Sequence, residues 1–507
     1  MLKRLTSLPF FVLLMGIGGL AMIFPALHAY GRSDYFTARI FLYGMILASF
    51  LTLLIGLATS TYAPKSVPRS QLIALLAAFG LLPAMFAIPF YEAMPSISFL
   101  DAWFEMVSSF TTTGATLFDR PFRVNPSLHL WRALVGWMGG LLIWVAALAI
   151  LAPMNLGGFE VQATQSTSDR ALRHSRSEKR LEPSERLARY ALRLIPIYAG
   201  LTLALWVGLM LTGERPLVAL CHAMSVMSTS GISPVGGIQY GASGVAGEVI
   251  VFVFLFFALS RLTFSRGMLG DDRKSLWRDP EFRLGLILLA IVPTLLFLRH
   301  FMAAATEGAD ATNLGAALSA IWGALFTVLS FMTTTGFESV HWIGATEWSG
   351  LQTPGLILVG LALIGGGVAT TAGGVKLLRV YVLYRHGLRE LERLVHPNSI
   401  GNDGAELRQI RRRGALIAFV FFMLFALSIA AVMLALSLTG MQFETAMVLA
   451  VSALATTGPL AEVAAENPVL YGGIPDAAKM ILAVTMVLGR LELLAIIALL
   501  NPDIWRS

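Results

Sequence analysis

The chain holds one cysteine, Cys221, among 507 residues. No intramolecular disulfide and no cysteine-based metal site can form. Charge is also scarce: 13% of residues are Asp, Glu, Lys or Arg, against about 25% in a soluble domain. The eight histidines are scattered without an HExxH spacing, which argues against a metal hydrolase. The first apolar stretch, 8–29, lacks a small-residue cleavage site and reads as a first span rather than a signal peptide. What is present is grease: 56% hydrophobic residues and a mean hydropathy of +0.73. Ala415–Leu438 runs 24 residues without a charge, and about 20 suffice to cross a bilayer. These features exclude a disordered chain, a collagen and an ordinary soluble enzyme. They indicate an all-α polytopic membrane protein embedded in the lipid bilayer. The 47 glycines and the net charge of +7 then need explaining.

Apolar segments fall at 8–29, 38–60, 70–90, 129–151, 191–212, 244–262, 282–300, 353–381 (interrupted), 414–438 and 477–499. That pattern predicts ten crossings with both termini on one side. The terminal side carries Lys3, Arg4, Lys65, Arg69, the clusters Arg170–Arg193, Arg261–Arg283 and Lys376–Arg413, and Arg506, together 28 of the 37 basic residues. Excess lysine and arginine mark the cytoplasmic face, so both termini are expected in the cytoplasm. The same distribution argues against nucleic acid as a partner, because the basic residues lie between apolar spans. The polar stretches 157–190 and 383–412 read as solvated loops or docking surfaces.

Four segments between spans resemble one another: Ser109-Phe-Thr-Thr-Thr-Gly114, Met227-Ser-Thr-Ser-Gly231, Phe331-Met-Thr-Thr-Thr-Gly336 and Leu454-Ala-Thr-Thr-Gly458. Each follows an apolar helix too short to cross, near 100–110, 217–228, 317–332 and 443–454. A period of this length implies repeated units. Irregular backbone at membrane depth survives only where it is buried in protein or lines a cavity. A hydroxyl–glycine turn exposes carbonyl and hydroxyl oxygens, and four around one axis could replace the water of a dehydrated cation. One such triplet is common at helix ends; four at matching places point to a selectivity filter.

The chain resembles the Trk/Ktr/HKT superfamily of potassium transporters, specifically TrkH-type membrane subunits, over essentially its whole length. The resemblance implies four membrane–pore-loop–membrane repeats in pseudo-fourfold arrangement, with two extra N-terminal helices. The corresponding boundaries are 1–68, 69–155, 156–262, 263–382 and 383–507. It implies K+ as the transported ion, with most filter oxygens from Thr112, Thr113, Thr229, Ser230, Thr334, Thr335, Thr456 and Thr457. The family glycine is kept at Gly114, Gly231, Gly336 and Gly458, which favours potassium. Ser230 departs from the threonine-rich pattern, so the symmetry is expected to be approximate. The resemblance further implies no enzymatic activity, a homodimer in the bacterial cytoplasmic membrane, and a TrkA-type cytoplasmic nucleotide-binding regulatory ring. A sodium-coupled or weakly selective monovalent cation transporter is the alternative. A lipid-processing enzyme would show clustered Asp, His or Arg at the membrane surface, and a carrier of organic solutes would show two inverted halves.

The segment 353–381 is broken by Gly365-Gly-Gly-Val-Ala-Thr-Thr-Ala-Gly-Gly374. Five glycines in ten residues cannot hold a continuous helix. The stretch resembles the family's gating loop, with Gly365, Gly366, Gly367, Gly373 and Gly374 as bending points and Thr370 and Thr371 as hydroxyl latches. Close helix packing through small residues is the other reading. Arg490, in a Gly-Arg-Leu-Glu motif of the last span, matches the family's fixed positive charge under the filter. Alternatively it snorkels or pairs with Glu492. Asp119, Glu338 and Glu462 follow filter turns and either concentrate cations at the mouth or are surface charges. Asp101 and Glu105 share a helix face and are expected to anchor it. Cys221 is expected to pack only.

Overall fold

A computed structural model describes residues 9–59, 67–154, 156, 183–260, 277, 279–307, 314–351, 353–396, 405–465, 467–492 and 495–496. Among these residues every regular element is a helix or a helical turn. The basic segments at 157–182, most of 261–278 and 397–404, and both chain ends, lie outside the described residues.

Among the described residues eight helices are long and apolar enough to cross a bilayer. They include the two N-terminal spans, Phe10–Gly31 and Tyr35–Ala58. This hairpin leans on the first repeat through His28 Nδ1 and Ser127 Oγ, 2.9 Å apart, and through Asn125, which donates to Asp34. A pattern of long helix, short helix, turn and second helix then recurs four times. The long helices are Val67–Ala93, Pro183–Leu211, Pro280–Glu307 and Ala405–Ser437; the short ones are Phe99–Phe110, Pro216–Ser228, Leu314–Met332 and Phe443–Leu454. The closing helices are Pro126–Ala146, Gly244–Leu255, the pair Gly355–Ile364 and Leu377–Val395, and Asp476–Leu491.

Two of the ten expected crossings are less regular than the hydropathy pattern indicates. The helix expected at 244–262 gives way to a 3-10 turn at Phe256–Ala258, just before Ser260 donates to Asp279. The helix expected at 477–499 is interrupted at Glu492, which takes a left-handed φ of 61°; residues 495–496 are again helical, while 493–494 and 497–499 lie outside the described residues. The break expected within 353–381 lies between Ile364 and Leu377, beginning where Gly365 turns left-handed at φ 72°. Conversely, the third short helix spans 19 residues, longer than 317–332, and alone meets the length of a crossing. The expected polar loop at 383–412 is largely helical, occupied by the ends of Leu377–Val395 and Ala405–Ser437.

Burial does not track hydropathy. The first closing helix, with its continuation to Met154, is 78% buried, while the equally apolar Tyr35–Ala58 is 17% buried. Proline at 196 and 293 sits inside long helices; neighbouring helices can satisfy the freed carbonyls of such breaks in a membrane.

Ion pairs fasten helices within the first repeat and between the first and last repeats. Glu105, fully buried on the first short helix, faces Arg132 of its closing helix at 2.9 Å. The same carboxylate accepts from the Leu117 amide at 2.5 Å and from Thr116 Oγ1 at 2.9 Å. Asp101 closes a capping box with Ser98 and accepts from Lys479 of the fourth closing helix at 2.6 Å, joining the first and last repeats. Cys221 lies buried against Ala133 and Ile232. Breaking a buried pair leaves its partner uncompensated, at a cost of about 3–5 kcal/mol. Arg132→Met is therefore expected to lower the thermal unfolding midpoint in detergent by several degrees, whereas Arg39→Met, on an exposed rim, leaves it unchanged.

Candidate functional site

The four hydroxyl–glycine turns share one backbone solution. Each short helix ends with a threonine in the left-handed region: Thr112 at φ 55°, Thr229 at 51°, Thr334 at 57° and Thr456 at 53°. This is the C′ position of a Schellman motif, where glycine or asparagine normally stands. Its two closing bonds are present in every copy. The threonine amide reaches back three residues, to Ser109, Val226, Phe331 and Ala453. The next amide reaches back five, from Thr113 to Ser108, Ser230 to Ser225, Thr335 to Ser330 and Thr457 to Ser452, at 2.8–2.9 Å. A left-handed β-branched residue costs roughly 1–2 kcal/mol. Four such costs at equivalent places mark backbone held for a purpose.

The turns meet in a closed cycle. A Cβ placed on Gly114 would strike the carbonyl of Ser230, and one on Gly231 would strike Thr335 and Pro459. One on Gly336 would crowd Pro459, and one on Gly458 would run into Ala115. First turn thus abuts second, second abuts third, third abuts fourth, and fourth abuts first. Gly114, Gly231 and Gly336 have φ of 73°, 67° and 81°, which aims their carbonyls without side-chain interference. Those three carbonyls accept no hydrogen bond among the described residues. The hydroxyls of Thr112 and Thr456 are buried without a partner. Unpaired oxygens at depth are costly, and a cation lacking its water is the group that fits them. The C-terminal ends of the short helices add partial negative charge at the same place.

The residues behind the turns were not visible from the hydroxyl–glycine pattern. Ser108, Ser225, Ser330 and Ser452 each stand six residues before the glycine, and their carbonyls close the Schellman bonds. Aligning the four segments further back would have exposed them. Nine residues before the glycine stand Glu105, His222 and Thr327, which bond the chain leaving the turn at Leu117, Ser233 and Ser339 respectively. In the third repeat Glu248, borrowed from the second closing helix, accepts from Trp322 Nε1, Ser339 Oγ and the Val340 amide at 2.6–2.8 Å. No sequence spacing announces that brace.

Directly against the turns lies the glycine-rich break. The Gly373 amide donates to Thr334 Oγ1 at 2.8 Å, and Thr371 Oγ1 donates to the Met227 carbonyl at 3.2 Å. A Cβ on Gly373 would strike the Ala455 carbonyl and Thr456 Oγ1. Thr370 bonds within the break, to Gly367 at 2.8 Å. The Gly367 amide is tied to Ala258 and the Leu377 amide to Gly366, each at 3.0 Å; Gly365 and Gly374 are both left-handed and pack on each other. Arg490, 5% exposed, donates from Nη1 to the Thr371 carbonyl at 2.6 Å. Glu492 pairs instead with Arg379 at 2.7 Å, whose guanidinium lies 3.7 Å over the Phe421 ring. A cavity of about 20 Å³, lined by Thr370, Lys376, Gly489, Arg490 and Glu492 among others, adjoins the break and holds about one water.

On the other side of the turns, Glu462 neighbours Glu338 and Asp119. Burial, then the neighbouring Glu462, pushes the Glu338 carboxyl up to about 7. Burial and Asp119 raise that of Glu462.

A family model described as "Cation transport protein", TrkH, matches residues 39–505. The chain is 33% identical over 431 residues to the Trk system potassium uptake protein TrkH of Vibrio parahaemolyticus, covering 83% of each. It is 30% identical to the protein of that name from Escherichia coli K12, over 87% of this chain and 86% of the relative. The Halomonas elongata protein TrkI is 30% identical over 88% and 86%. The crystal structure of the potassium transporter TrkH from Vibrio parahaemolyticus superposes with a TM-score of 0.81 at 28% identity, covering all of both chains.

The close approach of the turns gives a direct expectation. Gly231→Ala forces a Cβ into the Thr335 carbonyl at a left-handed φ. Cation flux into proteoliposomes should fall at least tenfold while the protein still inserts and remains monodisperse in detergent.

Proposed function

The chain belongs to the TrkH family of cation transport proteins and is a multi-pass membrane transporter for potassium uptake, not an enzyme; from that premise we propose that K+ passes, stripped of water, through the ring of the four turns. The observation that carries this reading is the fourfold left-handed threonine, which brings four strained turns into one cycle. The proposed ligands are oxygens of Thr112, Thr113, Gly114, Thr229, Ser230, Gly231, Thr334, Thr335, Gly336 and Thr456, with Thr457 and Gly458 standing behind them in the less regular fourth turn. Oxygen-only ligation by neutral groups suits a monovalent ion that must leave again. A dense carboxylate cage would suit a divalent ion.

The break Gly365–Gly374 acts as the gate. Its contacts with Met227, Thr334 and Thr456 support a closed arrangement in which backbone fills the exit from the ring. Opening requires those bonds to be exchanged for water, and Gly365 and Gly374 supply the backbone freedom. Arg490 has two parts in this scheme. Its hydrogen bond to Thr371 tethers the gate, and its charge discourages a cation from resting beneath the filter. The repeats divide at about residues 68, 155, 262 and 382. The protein works as a homodimer in the bacterial cytoplasmic membrane, with both termini in the cytoplasm, and its gate responds to a TrkA-type nucleotide-binding ring. The charge distribution along the sequence supports the orientation; the family supports the partner.

Uptake of radiolabelled rubidium into vesicles tests the transport reading, and no uptake by normally inserted protein would sink it. A charge-assisted hydrogen bond contributes about 1.5–3 kcal/mol, so Arg490→Ala should raise basal rubidium flux roughly tenfold or more by releasing the gate. Unchanged flux would count against the tether. The mouth carboxylates add a pH dependence. A carboxyl raised to about 7 is charged above that pH and neutral below it. Uptake at low external potassium should therefore decline as external pH falls from 8 to 6. Glu338→Gln should flatten that decline, leaving uptake at the lower level throughout.

A further inference from the structure

The first three turns present their glycine carbonyls free. The fourth does not. Gly458 lies outside the left-handed region occupied by Gly114, Gly231 and Gly336. Beyond it the chain passes through Pro459 straight into a short helix, Leu460–Ala464. The opening bonds of that helix occupy the glycine carbonyl that the other repeats leave free, and the one before it: the Ala461 amide donates to Gly458 and the Leu460 amide to Thr457, both at 3.1 Å.

Two hydroxyls reinforce this. Tyr471 Oη donates to the Gly458 carbonyl at 3.0 Å, and Ser452 Oγ donates to the Thr457 carbonyl at 2.9 Å. The hydroxyls themselves lie 2.7 Å apart. Tyr471 is 2% exposed, and its ring packs on Phe104 of the first short helix at 6.0 Å between centroids. The Gly458 amide meanwhile donates to the Thr113 carbonyl at 2.6 Å. The fourth turn is thus held from the protein side, and it supplies an amide to the ring where its neighbours supply an oxygen.

We propose that Tyr471 is a positioning residue that sets the cation preference of the filter, by holding the Gly458 carbonyl out of a ring that three repeats otherwise complete. The proposal rests on the reading of the four turns as a filter. Its physical content concerns coordination number. Selectivity between potassium and the smaller sodium depends on how many carbonyl dipoles surround the ion and how firmly they are held. A ring of three oxygens closed by an amide can contract around the smaller ion more readily than a full ring of four. The phenol is suited to this role because its rigid ring delivers one hydroxyl to one carbonyl, while packing on Phe104 keeps it in place.

The test is the reversal potential of the full-length transporter in mixed potassium and sodium. Tyr471→Phe keeps the ring and removes the hydroxyl. A single hydrogen bond is expected to move the potassium-over-sodium permeability ratio upward by about threefold or more. Ser452→Ala removes the neighbouring hydroxyl and should move it in the same direction, which decides the matter if Tyr471→Phe does not insert. A ratio unchanged or lowered in the variants that insert overturns the proposal. Gly336→Ser is measured in parallel. A ratio altered there but not by Tyr471→Phe rejects the role of Tyr471 alone; a ratio unaltered in both rejects the filter reading as well.

Discussion

The arrangement depends on one constraint. A helix that stops inside a membrane must dispose of its last carbonyls without water. Each short helix does so with a Schellman closure around a left-handed threonine. The closure satisfies the helix end from within and throws the next carbonyls sideways. Glycine at that position would remove the strain, but it would also remove a hydroxyl and a stiff β-branched side chain. The strain is tolerated because each turn is wedged against the next, with a cycle of contacts too close for a Cβ at the glycines.

The buried charges follow from the same constraint. Segments leaving the ring cannot pair with each other in ladders, so side chains pair with them. Glu105 takes the amide of Leu117 while Arg132 balances its charge. Glu248 does the equivalent service for the third repeat with neutral donors. Desolvating an ion is expensive, and a buried pair seldom contributes net stability. These pairs are better understood as fixing a unique geometry around the turns. Arg379 and Glu492 form a further pair beside the glycine-rich break, while Arg490 holds the backbone of that break.

The fourfold repetition is firm in the Schellman bonds and loose in the outgoing chain. The first turn is braced by a glutamate, the second by a histidine, the third by a threonine with a borrowed glutamate. The fourth runs into its own helix and is braced by a tyrosine. A single chain can break symmetry in this way because each repeat is encoded separately, whereas four identical subunits could not.

The membrane class, most of the spans, the four turns and the glycine break are legible in the sequence, because each leaves a local mark: long apolar runs, hydroxyl–glycine triplets, five glycines in ten residues. Ser108, Ser225, Ser330 and Ser452 were also present as a register, six residues before each glycine, but a lone serine in an apolar helix attracts no notice. Hydropathy did not reveal the 3-10 turn at Phe256–Ala258 or the interruption at Glu492, because tertiary packing rather than composition sets them. The third short helix, read from the sequence as too short to cross, is 19 residues long. The partner of Arg490 was beyond the sequence altogether. Glu492, two residues away, was the natural candidate, yet the helix ends between them and Glu492 turns to Arg379. Local pattern thus determined that this chain crosses a membrane and carries four hydroxyl–glycine turns and a glycine-rich break. Only the packing of distant segments decided which oxygens stay free, because hydrogen bonds such as those from Tyr471 and Arg490 join residues that nothing in the linear order brings together.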